Sequence, residues 1–155
     1  MDEVKVYVVE NRNVCIICRN CGMEHSIELS DCMSSNTIAI ECKCHNKISA
    51  FVDRRKFYRK PVELTGICYA PGDPEEGILV KIFNISRTGM GFIKCGGKSL
   101  AKDELITIKF RLHASANPIT IRTSVINIYA SDNIGTNIME LDQHTQKLLG
   151  FFLLP

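Results

Sequence analysis

The chain has 155 residues, 45 % hydrophobic and 23 % charged, with a net charge of +2. That length holds one ordinary domain, or a small domain beside a medium one. The near-neutral balance excludes a global field drawing in nucleic acid or anionic membrane, so any anion site must come from local clusters of Lys and Arg.

In chain order, Met1 to Lys5 carries acids and no positive n-region, which argues against a secretory signal. Short strands then follow: Val4, Val6 and Val8 alternate with Lys5, Tyr7 and Val9. Val14–Ile17, Ser26–Leu29, Thr37–Ile40 and Ile48–Val52 come next, with Cys, Gly or Asn at the breaks. No helical period of useful length occurs here. Residues 1–52 therefore read as a small all-β domain, which buries too little apolar surface to stand without a staple.

The cysteines suggest that staple. Six of the eight (Cys15, Cys18, Cys21, Cys32, Cys42 and Cys44) lie in the first 44 residues, and only Cys68 and Cys95 come later. In a cytosolic chain, clustered cysteines bind metal more often than they pair. Cys18-Arg-Asn-Cys21-Gly22 resembles the knuckle of a zinc ribbon, in which two thiolates face one ion and Gly relieves the backbone. Cys42-Lys-Cys44 would supply the second pair, completing a tetrahedral Cys18, Cys21, Cys42, Cys44 zinc site if both pairs sit at the tips of facing hairpins. The second pair is one residue shorter than the usual spacing, so His45 or Cys15 stands as a substitute ligand, with Cys32 in the intervening loop. Without metal these cysteines are small apolar residues or free thiols, the simplest reading of Cys68 and Cys95.

From Asp53 the composition changes. Arg54-Arg-Lys-Phe-Tyr-Arg-Lys60 places five cations in seven residues before Pro61. Strand-like runs follow at Val62–Tyr69, Ile78–Ile85, Gly91–Lys94, Leu105–Leu112, Ile119–Tyr129 and Ile134–Leu141. Pro71-Gly-Asp-Pro74, Arg87-Thr-Gly89, Gly96-Gly97, Asn117-Pro118 and Asp132-Asn133 supply the turns. Six strands at this spacing predict an antiparallel barrel or sandwich, and a barrel removes exposed edges. Asp142 then caps a helix with Leu148, Leu149, Phe152 and Leu153 on its apolar face. The stretch Leu148–Leu154 is far short of the roughly 20 residues that span a bilayer.

Two motifs carry the chemistry. Arg55-Lys-Phe-Tyr-Arg59, with Arg54 beside it, presents guanidinium forks that match phosphate oxygens and the O6/N7 edge of guanine. Asn84-Ile-Ser-Arg-Thr-Gly89 leaves one strand and enters the next. Asn84 and Ser86 offer short donor–acceptor groups, and Gly89 permits positive φ or close backbone approach. Each alone is an ordinary basic surface or an ordinary β-turn. In this order, with one hairpin's strand between them and Met90-Gly-Phe-Ile93 following, they are far more specific.

On these residues, the segment from Arg54 to Leu141 resembles a PilZ domain, marked by Arg-x-x-x-Arg followed by Asp/Asn-x-Ser-x-x-Gly. The resemblance implies a six-stranded antiparallel β-barrel with a C-terminal helix over residues 53–155, and a bacterial second-messenger receptor for cyclic di-GMP. It implies that Arg55 and Arg59 clamp phosphates and guanine edges, that Arg54 is a third contact, and that Asn84, Ser86 and Gly89 form a platform. The expected protein is a cytoplasmic, non-catalytic receptor whose binding loop doubles as the hinge between domains and signals to an unidentified protein effector. The alternative is a zinc-ribbon nucleic-acid-binding or protein-interaction module beside a degenerate barrel. The modest net charge and the lack of an aromatic–basic surface near the Cys pairs argue against nucleic acid. His25, His45, His113 and His144 show no nucleophile–base spacing, and there is no phosphate-cradling Gly-rich loop, so no enzyme is expected.

Overall fold

The computed structural model describes residues 3–8, 13–29, 35–130 and 132–154. Val9 and Cys32 lie outside them. The chain divides into two compact units, Met1–Lys56 and Phe57–Pro155; the division falls four residues beyond the expected 52/53 boundary.

Among the described residues the first unit holds five strands: β1 (Glu3–Tyr7), β2 (Asn13–Ile17), β3 (Glu24–Glu28), β4 (Thr37–Glu41) and β5 (Lys47–Asp53). They form two sheets, β1-β5-β4 and the hairpin β2-β3. Alternation works as expected in β2, where Val14 and Ile16 are fully buried between exposed neighbours. The first and last strands pair in parallel, Glu3 opposite Ser49 through Tyr7 opposite Asp53, which no local sequence signal encodes. The core is small: Val14, Ile16, Leu29, Ile38, Ile48, Ala50 and Val52, together with Cys18 and Cys42.

The second unit is a closed antiparallel barrel. Its strands are β6 (Lys60–Tyr69), β7 (Ile78–Ile85), β8 (Gly89–Lys94), β9 (Leu105–Phe110), β10 (Ile119–Tyr129) and β11 (Asn133–Glu140), in the cyclic order β10-β11-β8-β7-β6-β9. Period-2 apolar positions point inward: Ile78, Val80 and Ile82 from β7, Ile106, Ile108 and Phe110 from β9, and Ile119, Ile121 and Val125 from β10. β6 begins two residues earlier than expected, taking in Pro61. A register shift between Pro61 and Leu64 follows, consistent with a residue that cannot donate to the ladder.

Helix α1 (Gln143–Phe152) completes the unit. Asp142 caps it, accepting from Thr145 N at 2.9 Å and from the Thr145 hydroxyl at 2.6 Å. At the other end Lys60 Nζ donates to the carbonyl of Phe152 at 2.7 Å, a cation meeting the negative pole of the helix. Leu149 is buried on the barrel and Phe152 and Leu153 pack beside it; Leu148, expected on that face, is exposed. Among the described residues no helix is long and apolar enough to cross a membrane.

Candidate functional site

Strand pairing brings the second arginine to the turn. Lys60 pairs with Ile85 and Pro61 with Asn84, so Arg59, just ahead of β6, adjoins the segment where β7 turns into β8. The side chains of Arg54, Arg55 and Arg59 are all exposed. Arg55 is tied back to Asp53: its amide donates to Oδ1 at 3.1 Å and its guanidinium lies 3.6 Å from Oδ2. Lys5 also approaches that buried carboxylate, at 3.5 Å. Asp53 thus helps hold the first guanidinium at the end of β5.

The turn is built largely by Ser86, which is buried. Its hydroxyl accepts from Thr88 N at 3.3 Å and Gly89 N at 3.1 Å and donates to Gly89 O at 3.2 Å, while its amide donates to the same carbonyl at 2.8 Å. Ser86 therefore shapes the loop. Gly89 does not use a positive φ; a Cβ there would lie 2.4 Å from the backbone oxygen of Thr136 on β11. Its requirement is close approach of the neighbouring strand.

Asn84 differs from both. Its half-buried side chain carries a buried Oδ1 that lacks a hydrogen-bond partner among the described residues, and a Cβ at Gly91 would lie 2.7 Å from the Phe83 ring and 3.0 Å from that oxygen. Gly91 thus leaves the space that Phe83 and Asn84 occupy. Sequence reading took Gly91 as part of an apolar continuation, because a cross-strand packing need leaves no local pattern. Arg87, read from sequence only as a turn residue, has its guanidinium carbon 6.0 Å from the centroid of the Phe57 ring, cation–π range.

The family model of the PilZ domain matches residues 53–154. The chain belongs to the PilZ domain family. Solved structures carry the same fold. Against the Bacillus subtilis inhibitor of motility (MotI/DgrA) the TM-score is 0.56 at 16 % identity, covering 96 % of this chain and 84 % of that one. Against the PilZ domain with c-di-GMP of YcgR from Escherichia coli it is 0.54 at 11 %, covering 65 % and 89 %. Against the PilZ domain of CeSA from a cellulose-synthesizing bacterium it is 0.51 at 8 %, covering 62 % and 94 %. No curated protein matches the chain. PilZ domains are binding and adaptor domains.

On the PilZ barrel, a hollow of about 310 Å³ lies against the turn, lined by Phe57, Arg87, Thr88, Gln146, Leu149 and Leu153 among others. A larger one of about 870 Å³, bordered by Lys60, His113, Asp142 and Phe152, contains no residue of either motif. Its size reflects a gap beside α1, whereas the smaller hollow touches the Asn84–Gly89 turn through Arg87 and Thr88. Cys68, buried in the barrel, has its thiol pushed up to about 11, first by burial and then by the charge of Glu104. It is an inert core residue.

The N-terminal unit brings Cys18, Cys21, Cys42 and Cys44 together, with all four sulfurs within 4.8 Å of one another. Such a cluster can hold zinc. The candidate substitutes point elsewhere: Cys15 Sγ is 3.0 Å from Glu24 Oε1, and the ring of the exposed His45 is 3.7 Å from Glu41. Backbone N–H groups, that of Cys21 foremost, draw the Cys18 thiol down to about 6, and the Asn20 amide lowers Cys44. For Cys21 the backbone of Met23 pulls down, but the neighbouring thiols and desolvation outweigh it and push the group up to about 12.

Proposed function

We propose that this protein is a non-catalytic, cytoplasmic receptor for cyclic di-GMP. Arg55 and Arg59 grip the phosphates and guanine edges, Arg54 adds a third contact, and the Asn84–Gly89 turn forms the platform. The observation that carries this reading is the pairing of Lys60 and Pro61 with Ile85 and Asn84, which brings Arg59 beside the turn, with both motifs complete inside the residues that match the PilZ family, 53–154. Asn84, half-exposed beside the turn, offers an amide for the polar contact at a guanine. Ser86 and Gly89 act by keeping the turn in shape. A relative's structure is described as a PilZ domain with c-di-GMP, which supports the ligand class.

The arginines lie on both sides of the boundary between the two units, so a ligand engaging Arg55 and Arg59 together acts on both. Binding then resets the orientation of the units and presents a changed surface to a protein effector. Calorimetric titration tests the site. Wild type should bind saturably, and Arg55→Ala or Arg59→Ala should weaken binding about ten- to a hundred-fold, the loss of one charge-assisted hydrogen bond or two. Unchanged affinity in both variants would remove the assignment. Solution scattering that superimposes with and without ligand would remove the reorientation.

A further inference from the structure

We propose that Cys18, Cys21, Cys42 and Cys44 bind one structural zinc ion, and that Asn20, Asn46 and His25 donate N–H groups to three of its thiolates. This inference stands independently of the nucleotide reading. Zn–S bonds of about 2.3 Å in a tetrahedron set sulfur–sulfur edges near 3.8 Å. The Cys18–Cys44 and Cys21–Cys42 distances are 3.7 and 3.5 Å. A disulfide needs about 2.05 Å, so the spacing is that of ligands around an ion. Four soft thiolates also select zinc over the hard cations magnesium and calcium, and four protein ligands leave no open position for catalysis.

The two loops explain how unequal spacings converge. In the first, Cys18 N donates to Met23 O at 2.8 Å, and Gly22, just before the closing residue, has φ +73°. In the second, Cys42 N donates to Asn46 O at 2.9 Å, and His45, just before the closing residue, has φ +65°. Cys21 and Cys44 each stand two residues ahead of the closing residue. The second loop is the same knuckle with one residue removed, and Cys42-Lys-Cys44 delivers its thiols as Cys-x-x-Cys does. His45 serves through its backbone conformation.

Four thiolates around Zn²⁺ leave a net negative charge, which hydrogen-bond donors must offset. Asn20 Nδ2 lies 3.4 Å from Cys44 Sγ, Asn46 Nδ2 3.7 Å from Cys18 Sγ, and His25 Nε2 3.2 Å from Cys42 Sγ. His25 sits on β3 opposite Ile16, so its ring reaches from the hairpin β2-β3 to a ligand that follows β4. The ion and these donors join two sheets that share no strand, and a lone two-stranded hairpin is marginal in water.

The test uses the full chain, expressed with added zinc and purified without chelator. Elemental analysis should find about one zinc per chain. Cobalt titrated into the metal-free protein should give sulfur-to-cobalt charge transfer and tetrahedral ligand-field bands, which Cys21→Ser should weaken. His25→Ala should retain the all-sulfur cobalt spectrum but lower zinc affinity, in competition with a chromophoric chelator, by about ten- to a hundred-fold. Metal-free protein with no cobalt spectrum would overturn the site, and iron in place of zinc would overturn the zinc assignment. Unchanged zinc affinity in both His25→Ala and Asn46→Ala would overturn the donor role.

Discussion

The barrel and the cysteine unit are both all-β, yet they are held together differently. The barrel closes on itself, so every strand has two partners, and its interior is filled by large apolar side chains such as Phe92, Ile82, Ile108 and Ile121. The N-terminal unit has two open sheets, and two of its buried core residues, Cys18 and Cys42, are themselves thiols of the cluster. A barrel of this size stabilises itself by burial. The smaller unit has a thinner apolar core, and its thiol cluster sits within it.

The largest effect that separates the two regions should come from metal removal. Structural zinc contributes on the order of 10 kcal/mol, so a strong chelator should expose the amides of residues 13–29 and 37–53 to rapid hydrogen exchange while β6–β11 stay protected. Equal loss of protection in the barrel would break the contrast. Next is Gly89→Ala, whose new methyl would meet the Thr136 carbonyl. Overpacking against backbone should cost about 2 kcal/mol, read as a lower urea midpoint at constant slope. Ser86→Ala leaves the turn amides without their acceptor and should cost about 1–2 kcal/mol by the same measurement.

Two smaller effects sharpen the picture of the barrel. Thr123 is fully buried and its hydroxyl has no partner among the described residues. Thr123→Val should leave stability unchanged or raise it by up to about 1 kcal/mol; a clear loss would reveal a hidden partner for the hydroxyl. Asp142 is held below its ordinary 3.8 first by the Thr145 hydroxyl and then by the Thr145 amide. Its folded value being depressed, the cap's contribution is complete above that ordinary value and lost as the pH falls through the lowered one. Asp142→Asn should flatten that acid dependence in a helix-sensitive circular dichroism titration, and an identical acid profile would remove the cap from it.

The barrel was legible because its signals are local: period-2 apolar runs, Gly, Pro and Asn turns, and a capping Asp all act within a few residues. The Arg55–Arg59 and Asn84–Gly89 motifs were legible as patterns for the same reason. Cross-strand requirements were not. Beyond the platform role that the resemblance implies for them, Ser86 organises the turn and Gly89 makes room for β11. The need for Gly91 leaves no local signal because the side chains it accommodates, Phe83 and Asn84, lie on the neighbouring strand β7. The parallel pairing of β1 with β5 and the reach of His25 to Cys42 likewise join residues far apart in sequence. The cysteine pairs were visible as a cluster, but how the shortened Cys42-Lys-Cys44 loop brings its thiols to the other pair was not, because it depends on the left-handed backbone of His45.

The central claim is that cyclic di-GMP engages the arginine segment and the Asn84 turn together. Hydrogen exchange of the zinc-loaded full chain, with and without saturating cyclic di-GMP, tests it most directly. Slower exchange confined mainly to residues 54–60 and 84–91 is the predicted result. Protection that falls elsewhere, or no protection at saturating ligand, would contradict it.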